Sequence, residues 1–375
     1  MMAYLDHNAT TPLRPGVAAA IAAVLGETGN PSSVHRAGRA ARRRVEIARE
    51  RVAGLVGACA EDVVFTSGGT EANALALRGC GRRRLLVSAV EHDSVLKAAP
   101  GVELIPVDGE GRVAADVLVE LLRRDATPAV VSVMLANNET GVIQAVADLA
   151  EAAHSVGALV HCDASQAAGK KRVSVSDLGV DLLTVSAHKL GGPMGAGALI
   201  AAGDCELVPF LQGGGQERGR RAGTENVPAL VGFGLAAELA GSELEGFARL
   251  TEWRDGLESR CRSLVPGSRV FGGGAERLAN TSCLSLPGVG SEVQVMALDL
   301  AGVAVSAGSA CSSGKVRPSH VLRAMGVPED VAACAIRVSL GWNSTVEDVD
   351  AFVGAWSALA ARTAEQRQGT AVPAG

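Results

Sequence analysis

Leu182-Leu183-Thr184-Val185-Ser186-Ala187-His188-Lys189 runs straight into Leu190-Gly191-Gly192-Pro193. Its opening residues form a short, nearly unbroken apolar run, the pattern of a strand buried on both faces. Similar runs stand at Val63–Thr66, Leu85–Val90, Val102–Val107, Ala129–Leu135, Ala158–Cys162 and Ala198–Ala201. Helix-like stretches such as Ala145–Val156 separate several of them. The alternation predicts an α/β fold whose large domain is a mostly parallel, seven-stranded sheet with helices on both faces. Ligand sites in such folds gather at the carboxyl ends of the strands. The polar residues directly after each run are therefore where chemistry is expected.

Beyond Gly241 the texture changes. A charged helical stretch, Glu243–Leu264, leads to shorter strand candidates and a Gly/Ser loop at Ser306–Gly314. We expect a large domain over residues 16–245. A smaller α+β domain is expected over 1–15 and 246–375, ending in a frayed tail at Gln366–Gly375.

The chain has 375 residues, 47% apolar and 20% charged, which excludes disorder. Its net charge of −5 and 3% aromatic content argue against direct nucleic-acid binding. Arginines cluster over Arg39–Arg51, but Val45, Ala48, Val52 and Leu55 share one helical face there, so the arginines read as a solvated face. No apolar run is long enough for a membrane span, and the amino terminus has no signal-peptide pattern. Eight cysteines are scattered without a CxxC pair, which suits reduced thiols in the cytoplasm.

Lys189 follows a buried strand, where an ammonium is costly unless paired. It either snorkels to water or has a lowered pKa suited to Schiff-base formation. His161-Cys162-Asp163 ends the preceding strand. Its side chains alternate between faces, so it makes a poor metal site, and no metal is expected. Asp163 either caps the next helix or, paired with Lys189, holds a pyridinium nitrogen. Thr66-Ser67-Gly68-Gly69-Thr70-Glu71-Ala72-Asn73 opens a helix. It reads as a capping box or as a phosphate cradle. Glu91-His92-Asp93-Ser94 and Ala136-Asn137-Asn138-Glu139-Thr140-Gly141 also follow apolar runs. Each cluster has a bland explanation, but five at the carboxyl ends of strands favour one cofactor site.

Seven of the cysteines read as small buried hydrophobes. Cys311 differs, lying in Ser306-Ala307-Gly308-Ser309-Ala310-Cys311-Ser312-Ser313-Gly314-Lys315, with Lys315, Arg317 and His320 behind it to favour a thiolate. Arg337 interrupts an apolar strand candidate and needs an anionic partner, for which a substrate carboxylate suits its planar fork.

Assembled, these residues closely resemble the cysteine desulfurases, the NifS/IscS-like group of fold-type I, class V pyridoxal-phosphate enzymes. The resemblance spans nearly the whole chain through short ordered segments. They include Tyr4–Thr11, Gly29–His35, Thr66–Asn73, Asn137–Val142, Cys162–Ala168, Ser186–Gly192, Gly213–Arg218, Arg221–Asn226 and Ser309–Ser313. It implies pyridoxal 5'-phosphate as cofactor, with Lys189 on its aldehyde, Asp163 on the pyridine nitrogen and Gln166 on the ring oxygen. His92 would stack on the ring and move protons. Gly69, Thr70, Ser186 and His188 would bind the phosphate, with Thr224 arriving from the partner of a homodimer. Asn138 and Arg337 would hold the substrate carboxylate, and Cys311 would take sulfur from L-cysteine, leaving L-alanine.

The resemblance also implies a sulfur-acceptor protein serving iron–sulfur cluster assembly, tRNA thiolation, DNA phosphorothioation or another sulfur pathway. A selenocysteine lyase and a class V aminotransferase or lyase are the alternatives on the same scaffold. Met194 stands where many relatives carry lysine, and the chain ends soon after the small domain, which leaves scaffold docking open.

Overall fold

A short amino-terminal strand, β1 (Ala3–Tyr4), precedes the seven strands of the main sheet. These are β2 (Val63–Thr66), β3 (Arg84–Ser88), β4 (Glu103–Ile105), β5 (Ala129–Ser132), β6 (Leu159–Asp163), β7 (Leu182–Ser186) and β8 (Gly197–Ala201). The computed structural model describes residues 2–203, 205–308 and 319–370, without the side chains of 366–370. All seven apolar runs contain strands; Val63–Thr66 keeps its bounds and the other six shift at one or both ends.

The strand order is β2-β8-β7-β6-β5-β3-β4. Neighbours from β7 to β4 are parallel, while β8 is antiparallel to both β7 and β2. Two reversals cancel, so β2 runs with the parallel strands and their carboxyl ends share one edge. One expectation fails. β4 is an edge strand with Glu103 and Leu104 exposed, because only one of its sides is paired and covered.

Helices cover both faces of this sheet. The closest packing is between Arg36–Leu55 and Val227–Ser242, where Gly234 meets Ala48. A Cβ on Gly234 would lie 2.7 Å from the Ala48 Cα, a backbone atom that cannot swing aside. Gly234→Ala gains up to about 1 kcal/mol of helix propensity, but overpacking costs about 1–3 kcal/mol. A net loss of stability is expected, read as a lower urea midpoint at unchanged slope. An unchanged or raised midpoint would show that the two helices can separate at little cost.

The arginine-rich helix also departs from its expected pattern. Val45, Ala48 and Val52 are buried as read, but so is Arg49, which pairs with Glu217. Arg49 stands four residues after Val45 and three before Val52, on the buried stripe itself. The seven cysteines other than Cys311 are not all buried either. Cys59 is exposed and Cys205 half-buried, both in connections between elements.

A second core lies beside the first. β9 (Arg269–Phe271), β10 (Thr281–Ser285), β11 (Val303–Ala304), β12 (Ser306–Ala307) and β13 (Ala335–Ser339) follow in the chain. β12-β13-β10-β9 form an antiparallel sheet, and β1 pairs in parallel with β11. Leu5, Leu257, Val338, Phe352 and Trp356 are buried together here, with the Phe352 and Trp356 rings stacked at 6.3 Å. The Trp356 indole N–H donates to Gln294 Oε1 at 3.0 Å. The expected helix Glu243–Leu264 is two helices, Leu244–Ala248 and Leu250–Leu264. Among the described residues no single helix is long and apolar enough to cross a membrane.

Candidate active site

The shared carboxyl edge opens into a cavity of 360 Å³, within the range of roughly 300–1,000 Å³ usual for small-molecule sites. Lys189 enters it from the single turn Ala187–Lys189 that ends β7. Its ammonium donates to the carbonyls of Asn8 and of Ala9, the latter at 2.8 Å. Asp163, the last residue of β6, is buried across the cavity. Its Oδ2 accepts from Asn73 Nδ2 at 2.8 Å and its Oδ1 from the Ser165 amide at 2.9 Å. Both bonds fix the orientation of the carboxyl group.

The helix Gly69–Gly79 points its amino end at the same space, so Gly69 and Thr70 line the cavity. Gly68 at its cap has no side chain to satisfy the first amides. The capping contact is also present. Glu71 Oε2 accepts from the Ser67 amide at 2.7 Å and from its hydroxyl at 2.6 Å. The two readings of this stretch therefore coexist, the box bracing the turn while the helix start faces the cavity.

Ser186 and His188 complete this wall. Burial, with the nearby charges of Lys189 and Lys170, brings the His188 pKa down to about 4. The ring is thus neutral at pH 7, and its Nδ1 sits 3.2 Å from Thr10 Oγ1. His92 caps the helix Asp93–Leu96, with Nδ1 accepting from the Ser94 amide at 3.1 Å. Burial lowers its pKa, while the Asp163 charge opposes the shift.

The opposite wall comes from the second core. Arg337, in the middle of β13, donates through Nη1 to the Asn138 carbonyl at 3.0 Å and through Nη2 to Asp6 Oδ1 at 2.7 Å. The anion that the sequence reading sought for Arg337 in a substrate is already supplied in part by Asp6. One nitrogen is left over, since among the described residues Arg337 Nε is buried without a hydrogen-bond partner.

Lys189, Asp163, Gln166, His92, Gly69, Thr70, Ser186, His188, Asn138 and Arg337 thus line one cavity, although they are spread over 69–337. Thr224 is exposed and does not line it. Cys311 lies outside the described residues, while Gly308, just before its segment, lines the cavity.

Sequence reasoning gave no role to the residue that organises the floor. The Asn8 carbonyl accepts from Gln166 Nε2 at 2.9 Å as well as from Lys189. Its side-chain Oδ1 accepts from Lys170 Nζ at 2.8 Å and Asn280 Nδ2 at 3.0 Å. Its Nδ2 donates to Thr281 Oγ1 at 2.8 Å and the Asn138 carbonyl at 3.2 Å. Lys170, also missed, is buried and donates to Gln166 Oε1 at 2.9 Å. Burial, followed by the charges of Lys189 and Arg337, holds its pKa well below that of a free lysine. No local pattern marked it, because Lys171 and Arg172 follow it directly and make it one of three basic residues in a row.

The fold and cavity define a class: an α/β enzyme with a lysine, an aspartate and a helix amino terminus converging at the carboxyl edge of a mostly parallel sheet. The sequence matches the aminotransferase class-V family over residues 3–352. It is 46% identical over 364 residues to a cysteine desulfurase of Cereibacter sphaeroides, covering 92% of each chain. It is 42% identical over 362 residues to the cysteine desulfurase IscS of Dictyoglomus turgidum, covering 92% of this chain and 91% of that one. A NifS-like protein from Rickettsia africae superposes with a TM-score of 0.89 at 35% identity, covering 96% of this chain and 99% of that one. The chain belongs to the aminotransferase class-V family and, within it, to the cysteine desulfurases.

Enzymes of this family depend on pyridoxal phosphate, and the residues present fit that group. Asp163 is a fixed buried acceptor, Lys189 an amine, and Gly69, Thr70, Ser186 and His188 surround a helix start. Asn73 Oδ1, beside Asp163, is buried without a partner among the described residues, as expected of a wall built against a polar ligand.

Proposed function

We propose that this chain is a cysteine desulfurase that uses pyridoxal 5'-phosphate to convert L-cysteine to L-alanine and moves the sulfur through Cys311 to an acceptor. The leftover donor of Arg337 carries the reading for the substrate. A buried guanidinium beside Asn138, its Nε unpartnered among the described residues, suits the carboxylate of an amino acid, and Asp6 sets the orientation of its fork.

Bound pyridoxal phosphate supplies an electron sink for the pair left on the substrate's α-carbon. The chain's own groups do the rest. Asp163 would hold the ring nitrogen as a hydrogen-bond acceptor, Gln166 would reach the ring oxygen, and His92 would cover the ring. Gly69, Thr70, Ser186 and His188 would bind the phosphate, His188 as a neutral ring. Lys189 would anchor the aldehyde carbon and, as a free amine, would carry protons to and from the substrate's α-carbon. The carbonyls of Asn8 and Ala9 receive its ammonium. The Cys311 thiolate attacks the substrate sulfur. A sulfur–sulfur bond forms, the carbon–sulfur bond breaks, and its electron pair ends as a carbon–hydrogen bond of alanine. We place the enzyme in the cytoplasm as a homodimer, Thr224 meeting the phosphate of the second copy.

Product analysis tests the reading. Purified chain with L-cysteine, pyridoxal phosphate and a thiol reductant is expected to yield alanine and sulfide in equal amounts. Without reductant, the peptide containing Cys311 should gain the mass of one sulfur. Pyruvate and ammonia would mean β-elimination instead. A transfer of the amino group to a keto acid would mean an aminotransferase. Turnover confined to L-selenocysteine would mean a selenocysteine lyase.

A further inference from the structure

Glu139 was not among the expected site residues, yet it is only 2% exposed and sits one residue beyond Asn138. The turn that carries it is tightly specified. Asn137 Oδ1 accepts from the amides of Glu139 and Thr140, each at 2.9 Å, and Asn137 Nδ2 donates to the Val90 carbonyl at 3.0 Å. The Glu139 carboxyl reaches the second core, where two residues meet the same oxygen, Oε2. Ser319 donates its hydroxyl to it at 2.5 Å. Gly308 lies so close that a Cβ there would be 2.6 Å from it.

Gly308 and Ser319 flank residues 309–318, which include Cys311. We infer that Glu139 is a positioning residue that fixes both flanks of the Cys311 segment against the substrate wall, and so sets the rate at which Cys311 meets the substrate sulfur. The inference rests on the desulfurase reading.

Other contacts agree. Ser319 Oγ, besides donating to Glu139, accepts from the Leu322 amide at 3.1 Å and so caps the helix His320–Ala324. His320 Nε2 donates to the Glu91 carbonyl at 2.9 Å, next to His92. The C-terminal flank is thus tied to residues 91 and 139, and the Asn137 side chain links the turn of Glu139 to Val90. Arg337 ties the same wall to the substrate side through the Asn138 carbonyl. Burial brings the Glu139 pKa up to about 7, against the Ser319 hydroxyl and the Arg337 charge. An isolated buried carboxyl is costly, so this placement asks for a use.

Single-turnover persulfide formation and alkylation separate this role from a general structural one. Glu139→Ala is expected to slow the appearance of persulfide on Cys311 by roughly tenfold or more, while the KM for L-cysteine and the cofactor content stay within about twofold. Glu139→Gln keeps an acceptor for Ser319 and is expected to recover most of that loss. The rate at which iodoacetamide labels the Cys311 peptide, a measure independent of turnover, should change in Glu139→Ala and return in Glu139→Gln.

Wild-type persulfidation and labelling rates in Glu139→Ala would overturn the inference. So would equal losses of cofactor, substrate affinity and persulfidation with no rescue by glutamine. If the wild-type chain forms no persulfide at all, the desulfurase reading fails by itself. The labelling rates then decide alone whether Glu139 positions the segment.

Discussion

Lys189→Ala is expected to lower alanine formation from L-cysteine by at least about a thousandfold, since general acid–base work alone contributes roughly 10²–10⁴-fold and the variant also loses the covalent seat of the cofactor. Among the described residues no second lysine lines the cavity. Lys170 belongs to the same network, but its Nζ is committed to Asn8 Oδ1 and Gln166 Oε1. It does not line the cavity. The visible absorbance of lysine-linked cofactor should vanish with the activity. The fold should survive, because Lys189 is half-buried at the end of a one-turn segment and its removal opens no apolar core. A urea midpoint near wild type together with lost absorbance is the expected pair of results. Retained absorbance and retained turnover in the same variant would remove Lys189 from the site.

Glu217→Ala should lower stability by about 3–5 kcal/mol, the usual cost of leaving one member of a buried ion pair unpartnered. Arg49 Nη1 and Nη2 reach Glu217 Oε2 and Oε1 at 2.7 and 2.9 Å, with both side chains almost wholly enclosed. The same carboxylate accepts the Phe65 amide at 2.8 Å, and Arg49 also donates to the Val63 carbonyl at 2.8 Å. The pair therefore holds β2 to the helix Arg36–Leu55, and β2 leads directly to the helix start at Gly69. Glu217 also sits at φ 47°, in the left-handed region. Glycine at 217 should recover about 1 kcal/mol relative to alanine by removing that strain, without restoring the pair. Replacing both members, Arg49→Met with Glu217→Leu, should recover more than either single change. The check is a urea denaturation series on Glu217→Ala, Glu217→Gly, Arg49→Met, Glu217→Leu and the double replacement. A loss below about 1 kcal/mol for Glu217→Ala would mean that water reaches Arg49.

The main sheet was legible because strands buried on both faces leave nearly continuous apolar runs, as six of the seven do. Edge exposure at β4 was not legible, since Val102–Val107 looks the same whether one side is paired or two. Lys189, Asp163 and the Gly69–Thr70 helix start stood out because each breaks an apolar run at its carboxyl end. Arg49 was visible in principle, on the stripe of Val45 and Val52, but the density of arginine around it suggested a solvated face. Asp6, Asn8 and Glu139 were assigned no role for a different reason. Their side chains take meaning only from Arg337, Lys170, Asn280 and Ser319, and no local pattern reports such distant partners.

Asn8 leaves the ribosome well before its partners, since its amide bonds Ser339 Oγ across 331 residues and its Oδ1 bonds Lys170 across 162. At about 5–20 residues per second, synthesis of that interval takes on the order of half a minute. Over that time the main sheet can assemble while the floor beneath Lys189 still lacks its keystone. Competence to hold the cofactor should therefore arrive late and all at once, when β10 and β13 emerge and capture the amino-terminal segment. A nascent chain stalled before residue 339 would carry Lys189 and Asp163 in place but would not yet be an enzyme.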